Sequence, residues 1–272
     1  PAVKSADIGV AMGISGTDVT REASDLVLTD DNFATIVKAV EQGRVIYDNI
    51  RKYARFLIAC NFDELLVIGT FAILGGVFGT HLFPLPLLPA MILWINLVTD
   101  GAPAVALAMD PSDEDVMERL PRKPDEGILH GMGVFIIASF CLQSIGTILV
   151  FALEYYLFPA HGFGTAETYK EATTVAFVQA ALFELFVVWN CRSETRSVWR
   201  MGRDSFKNKF FVIAEIVSIA ATLGICYIPI TAQMFGLVPL TPTDLFYVLG
   251  VASWGLFVLP EIFMRRKVWR WK

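Results

Sequence analysis

A chain of 272 residues with 55% hydrophobic residues, 18% charged residues and a mean hydropathy of +0.55 is not an ordinary soluble domain; it has the composition of a membrane protein. The net charge of -5, with basic residues gathered in short loops, gives no nucleic-acid recognition face. Cys60, Cys141, Cys191 and Cys226 lie far apart in or beside apolar runs, without zinc or redox spacing, which casts them as small core residues.

Residues 1 to about 45 differ from the rest. Asp7 to Gly13 reads as a short buried strand ending in a glycine turn, Thr17 to Ser24 as a short helix, and Leu26 to Leu28 as a second strand. Asp30, Asp31 and Asn32 then cap a helix. This βαβα order resembles the end of a Rossmann-like α/β domain and is too short to bury a core alone. Gly9, Gly13 and Gly16 do not make a phosphate loop, because the lysine such a loop needs is absent. No signal peptide precedes it, and the opening at Pro1 falls within a motif, so the chain is expected to be the carboxy-terminal part of something longer.

From Asn32 a helical pattern runs through Glu41, Arg44, Tyr47, Arg51 and Arg55 without proline into Phe56-Leu57-Ile58. Residues 46–54 form a charged stalk that is either a mechanical link or a plain solvated rod. The transmembrane portion, 55–272, holds six apolar spans at about 55–78, 87–109, 133–157, 173–190, 210–228 and 244–264, each near the roughly 20 residues a bilayer requires. Loop 110–132 carries Arg119, Arg122 and Lys123; loop 191–209 carries Arg192, Arg196, Arg200, Arg203, Lys207 and Lys209. The tail carries Arg265, Arg266, Lys267, Arg270 and Lys272, whereas loops 79–86 and 229–243 carry no lysine or arginine. The positive-inside rule places both termini in the cytoplasm, with Trp189, Trp199, Trp269 and Trp271 as interfacial anchors.

Polar groups interrupt three of these spans. Asn96, Thr99 and Asp100 are spaced i, i+3, i+4, and Gly101 and Pro103 weaken the helix and free the carbonyl of Thr99. A carboxylate at mid-membrane costs at least about 2.5–3.5 kcal/mol, so Asp100 marks either a functional site or a proline kink whose polar groups bond a neighbouring helix. In the first span Asn61 and Glu64 share a face while Asp63 points elsewhere; in the fourth, Glu184 is alone. An oxygen-only set suits a hard cation, Ca²⁺ better than Mg²⁺. Gln143, Gln179 and Ser218 read as interhelical hydrogen-bond partners, Glu261 as a local partner of Arg265 to Lys267, and Glu215 stays open between ion role and structural pair. The loop from Asp110 to Glu126 is either a solvated connector or a contact surface.

Asn96-Leu97-Val98-Thr99-Asp100-Gly101, Asn61 with Glu64, the opening Pro1 to Gly13, and Ala23 to Phe33 together resemble the carboxy-terminal part of a P-type cation-transporting ATPase of the sarcoplasmic/endoplasmic-reticulum calcium-pump branch. The resemblance implies that residues 1–45 end the phosphorylation domain and that the six spans are the fifth to tenth of ten. It implies that Asn61, Glu64, Asn96, Thr99, Asp100 and Glu184 hold the transported Ca²⁺, with Asp100 bridging two ions. Asp63 departs from the small residue that family carries there. ATP, Mg²⁺, the phosphorylated aspartate and the dephosphorylation motif would lie in the remainder of the pump, so no catalytic or cofactor-binding residue is expected here. Such a chain exports Ca²⁺ from the cytoplasm, with proton counter-transport fitting carboxylates emptied in low dielectric. The same family with Na⁺, K⁺, H⁺ or Mn²⁺ as cargo, or a six-span channel or scaffold, are the competing readings.

Overall fold

The computed structural model describes residues 1–113, 115–123 and 126–264. They form two compact units, Pro1–Asp48 with Ser112–Arg119, and Asn49–Pro111 with Leu120–Lys272.

In the first unit, α1 (Ala2–Ser5) precedes β1 (Val10–Met12), α2 (Asp18–Glu22) and β2 (Leu26–Leu28). The strands pair in parallel, Val10 with Leu26 through Met12 with Leu28, as a βαβ order requires. Thr17 caps α2 by accepting the amide of Thr20 at 3.3 Å. Asp31, in the left-handed region with φ 50°, accepts the amides of Ile14 and Ser15 at 2.8 and 2.7 Å and pins the glycine turn. The mixed-charge loop packs into this unit through Arg119, which pairs with Asp48 at 2.5 Å, Asp115 at 2.5 Å and Asp113 at 3.1 Å. Arg44 donates to the carbonyls of Val116 and Arg119, both at 2.9 Å.

The expected continuous helix is present: α3 (Ala34–Phe78) runs unbroken for 45 residues. Next come α4 (Pro89–Trp94), a π turn over Ile95–Asp100 and α5 (Gly101–Ala108), together one helix of 20 residues. Then follow α6 (Gly133–Ala152) with a terminal π turn at Leu153–Leu157, α7 (Ala166–Cys191), α8 (Val198–Met201), α9 (Lys209–Tyr227), α10 (Pro229–Phe235), α11 (Pro242–Ala252) and α12 (Pro260–Phe263). Five helices are long and apolar enough to cross a bilayer: α3, the α4–α5 helix, α6 with its π turn, α7 and α9. The apolar window of α7 is 89% buried against 33% to 50% for the others, which makes α7 the post around which they pack.

The sixth expected span, 244–264, is not one helix. α11 stops at Ala252, a 3₁₀ stretch covers Ser253–Phe257, and Pro260 opens α12. The reason is local: a Cβ on Gly255 would stand 2.8 Å from the Phe183 carbonyl oxygen, so backbone presses on α7 there. Asn190 of α7 donates to the carbonyls of Gly255 and Leu256 at 3.2 and 3.0 Å, holding the irregular segment in place of helical bonds. Residues 265–272, including the basic tail, Trp269 and Trp271, lie outside the described residues. The expected partners of Glu261, Arg265 to Lys267, fall there too; among the described residues Glu261 pairs with Arg200 at 3.2 Å and accepts from Ser197 at 2.8 Å.

Cations of the second unit that read as stalk and loop charges are buried. Arg51 pairs with Glu194 at 2.6 Å; Lys52 and Arg192 both pair with Asp110, at 3.4 and 2.9 Å. Arg55 donates to the carbonyls of Cys191 and Ser193 and lies 4.8 Å over the ring of Phe135. These contacts fasten the mid-portion of α3 to the ends of α5 and α7.

Candidate cation site

The inward stripe of α3 is Phe56, Cys60, Asp63, Glu64, Val67 and Phe71, all buried, at the three- and four-residue steps that keep one helical face. At about 100° per residue, Cys60 lies between Asp63 and Glu64, whereas Asn61 stands a further step round. Asn61 is accordingly exposed on this chain, its amide turned back to the Leu57 carbonyl at 2.8 Å.

Opposite α3, the expected break at Gly101 and Pro103 takes the form of a widened turn rather than an unwound segment. Proline at 103 removes the amide that would bond Thr99, and the helix closes one residue later through Ile95–Asp100. Ser218 of α9 donates to the Val98 carbonyl at 2.9 Å, the interhelical role read for it. The π turn delivers three side chains inward. Asn96 donates to both carboxylate oxygens of Glu64, at 3.0 and 2.9 Å. Thr99 Oγ1 lies 2.9 Å from Glu184 Oε2 and 2.9 Å from the Ile95 carbonyl oxygen. Asp100 is buried with neither carboxylate oxygen hydrogen-bonded.

Glu184, fully buried on α7, also accepts from Gln143 of α6 at 3.0 Å. One ligating atom from each of Cys60, Asp100 and Glu184 falls within 4.8 Å of the others. Of the six residues expected to converge, Glu64 meets Asn96, and Glu184 meets Thr99 and stands beside Asp100, whereas Asn61 turns back to its own helix. An unbonded buried carboxylate costs several kcal/mol and is tolerated where something else completes it. Carboxylates, a hydroxyl and an amide are the donor types that replace the water around a hard cation.

The chain matches the family described as cation transporting ATPase, C-terminus, over residues 84–265. It is 44% identical over 268 residues to a calcium-transporting ATPase of Bacillus subtilis (strain 168), covering 98% of this chain and 28% of that protein. It is 35% identical over 269 residues to calcium-transporting ATPase type 2C member 2 of Mus musculus, covering 98% and 26%. The endoplasmic reticulum calcium ATPase srcA of Aspergillus fumigatus is 36% identical over 278 residues, covering 93% and 28%. The chain belongs to the cation-transporting P-type ATPases. It spans little more than a quarter of the length of these relatives, and its five apolar helices make it an integral membrane protein.

In this P-type ATPase chain three buried residues stand closer to the site than their sequence readings placed them. Asp63, read as pointing away from Glu64 and as a departure from the family's small residue, is fully buried; its Oδ1 accepts from Ser144 of α6 at 2.5 Å and its Oδ2 has no hydrogen-bond partner. Gln143 makes the interhelical hydrogen bond read for it, and its acceptor is the site carboxylate Glu184. Cys60 was read as core and sits beside Asp100 and Glu184. The signal available was the helical angle: Cys60, not Asn61, is the centre of the face that carries Glu64.

Proposed function

We propose that this chain is the transport portion of an ATP-driven pump that exports Ca²⁺ from the cytoplasm, with the cation held by Glu64, Asn96, Thr99, Asp100 and Glu184. Asn61 joins that set where a further segment covers it. The buried, unbonded carboxylate of Asp100, with a Glu184 oxygen and the Cys60 sulfur within 4.8 Å, carries the reading. No lysine or arginine pairs with Asp100 or Glu184 among the described residues, so their charge calls for a mobile cation. A hard ion with flexible oxygen coordination matches the donors, and the names of the relatives add calcium to that chemistry.

In this reading residues 1–45 close the phosphorylation domain, which binds ATP and Mg²⁺ elsewhere in the pump. Residues 46–54 are the stalk and 55–272 the transport domain, with six spans and both termini cytoplasmic. Movement of α3 carries Glu64 away from Asn96 and opens the oxygen cage. Protons replace the departed cation, because adjacent carboxylates in a dry site keep their charge low. The deciding experiment is ATP hydrolysis by the intact pump against a panel of Ca²⁺, Na⁺, K⁺ and Mn²⁺. Stimulation by Ca²⁺ and its abolition in Asp100→Asn are expected; a variant that keeps Ca²⁺ dependence removes the site assignment.

A further inference from the structure

We propose that Cys60, Asp100 and Glu184 form a site for a soft, thiophilic divalent cation of calcium-like size, which competes there with the transported hard ion. The proposal rests on the pump reading for its competitor, though not for the site itself. Cys60 comes from α3, Asp100 from the π turn and Glu184 from α7, and all three are buried to within 1% of complete exclusion from solvent. Their ligating atoms lie within 4.8 Å of one another. Three atoms within 4.8 Å of one another all lie within about 2.8 Å of one common point, so side-chain adjustments of a few tenths of an ångström bring a single ion to roughly 2.4 Å from each. The second pointer is Asp100, whose oxygens have no hydrogen-bond partner although the side chain is buried among them. Thr99 Oγ1, 2.9 Å from Glu184 Oε2, stands ready as a fourth donor.

An oxygen cage for a hard ion has no use for sulfur. A thiolate, by contrast, favours soft ions, and here it is placed with two carboxylates in a low-dielectric pocket. On binding, Sγ surrenders its proton to solvent and takes up the metal as thiolate, so three anionic ligands face a dication. Among the described residues, this is the one group of three such side chains close enough to share an ion.

Cd²⁺, soft and close to calcium in size, is the probe. On the intact pump, two quantities are measured: the Cd²⁺ concentration that halves Ca²⁺-stimulated hydrolysis, and the ultraviolet thiolate-to-metal absorption. Cys60→Ser, and independently Cys60→Ala, are expected to weaken Cd²⁺ at least about tenfold more than they weaken Ca²⁺ and to diminish the absorption. In the unmutated protein excess Ca²⁺ should displace the Cys60-dependent part of that absorption, a readout that needs no variant to fold. An unchanged ratio of Cd²⁺ to Ca²⁺ potency in folded variants, or an absorption insensitive to Ca²⁺, overturns the proposal. Absence of Ca²⁺ stimulation in the unmutated pump would instead sink the pump reading, while the absorption of the variants would still decide the thiol site.

Discussion

Two buried aspartates flank α5 and are treated in opposite ways. Asp110 is saturated: Arg192 reaches it at 2.9 Å, Lys52 at 3.4 Å and Asn208 at 3.0 Å, while Asn49 serves its main-chain carbonyl at 2.8 Å. Among the described residues, Asp100 has no cation on either oxygen, only the Cys60 sulfur and a Glu184 oxygen beside it. A carboxylate ringed by cations is a fastening, and its value lies in never letting go. One left unbonded in the interior is an expense the rest of the fold must offset, which is how sites that act on a ligand are usually built. The contrast separates charge that holds the bundle from charge that waits for cargo.

The largest effect should fall on the fastening. Asp110→Asn leaves Lys52 and Arg192 buried without a counter-charge, and the expected loss is about 3–5 kcal/mol of stability, read from thermal unfolding in detergent. A loss below about 1 kcal/mol would mean the hub is not structural. Next, Asp63→Asn keeps an acceptor for Ser144 but replaces an ionisable group beside Glu64 with one that can neither ionise nor take up a proton. Its apparent Ca²⁺ affinity should weaken by about tenfold, or about 1.4 kcal/mol, in cation titrations of ATP hydrolysis. An unaltered titration would place Asp63 with the fastenings. Asp100→Asn, although it abolishes cation dependence, should leave the protein at least as resistant to unfolding as the unmutated one, because it removes a buried charge without a partner; a fall like that of Asp110→Asn would erase the contrast.

The smallest effect belongs to the exposed turn of the first unit. The amides of Ile14 and Ser15 bond the Asp31 carboxylate and hold it below its ordinary value of 3.8. A depressed carboxylate contributes stability above its unfolded value and loses it as pH falls through the lower native one. Hydrogen exchange at Ile14 and Ser15, corrected for intrinsic rates, should therefore speed up only below about pH 4, and Asp31→Ala should show that faster exchange at neutral pH as well.

Much of this was legible in advance because membrane physics writes in long, local signals. Twenty apolar residues announce a span, and a carboxylate within one announces a cost. Glu64, Asp100 and Glu184 were visible for that reason. Cys60 was not, since a thiol in an apolar run looks like any small core residue until a neighbouring helix sets two carboxylates beside it. For Arg51 and Lys52 the sequence left a link and a solvated stalk both open, and Arg55 read as the start of the first span, because their partners, Glu194, Asp110 and the carbonyl that ends α7, stand far along the chain. The broken sixth segment was likewise hidden: its hydropathy is adequate, and what interrupts it is the close approach of Gly255 to α7.

The widened turn has a geometric effect beyond the three side chains it delivers. Met91, Ile95, Thr99, Pro103 and Leu107 are all buried, at every fourth position. In an unbroken α-helix each such step advances about 40°, so Leu107 would have wandered roughly 160° from Met91, nearly to the opposite side. A ring closed one residue late gives back about 100° of that drift. The result is a stave with a nearly straight seam, and shortening the loop of backbone between 95 and 100 by a single residue would swing its lower half outward from the bundle.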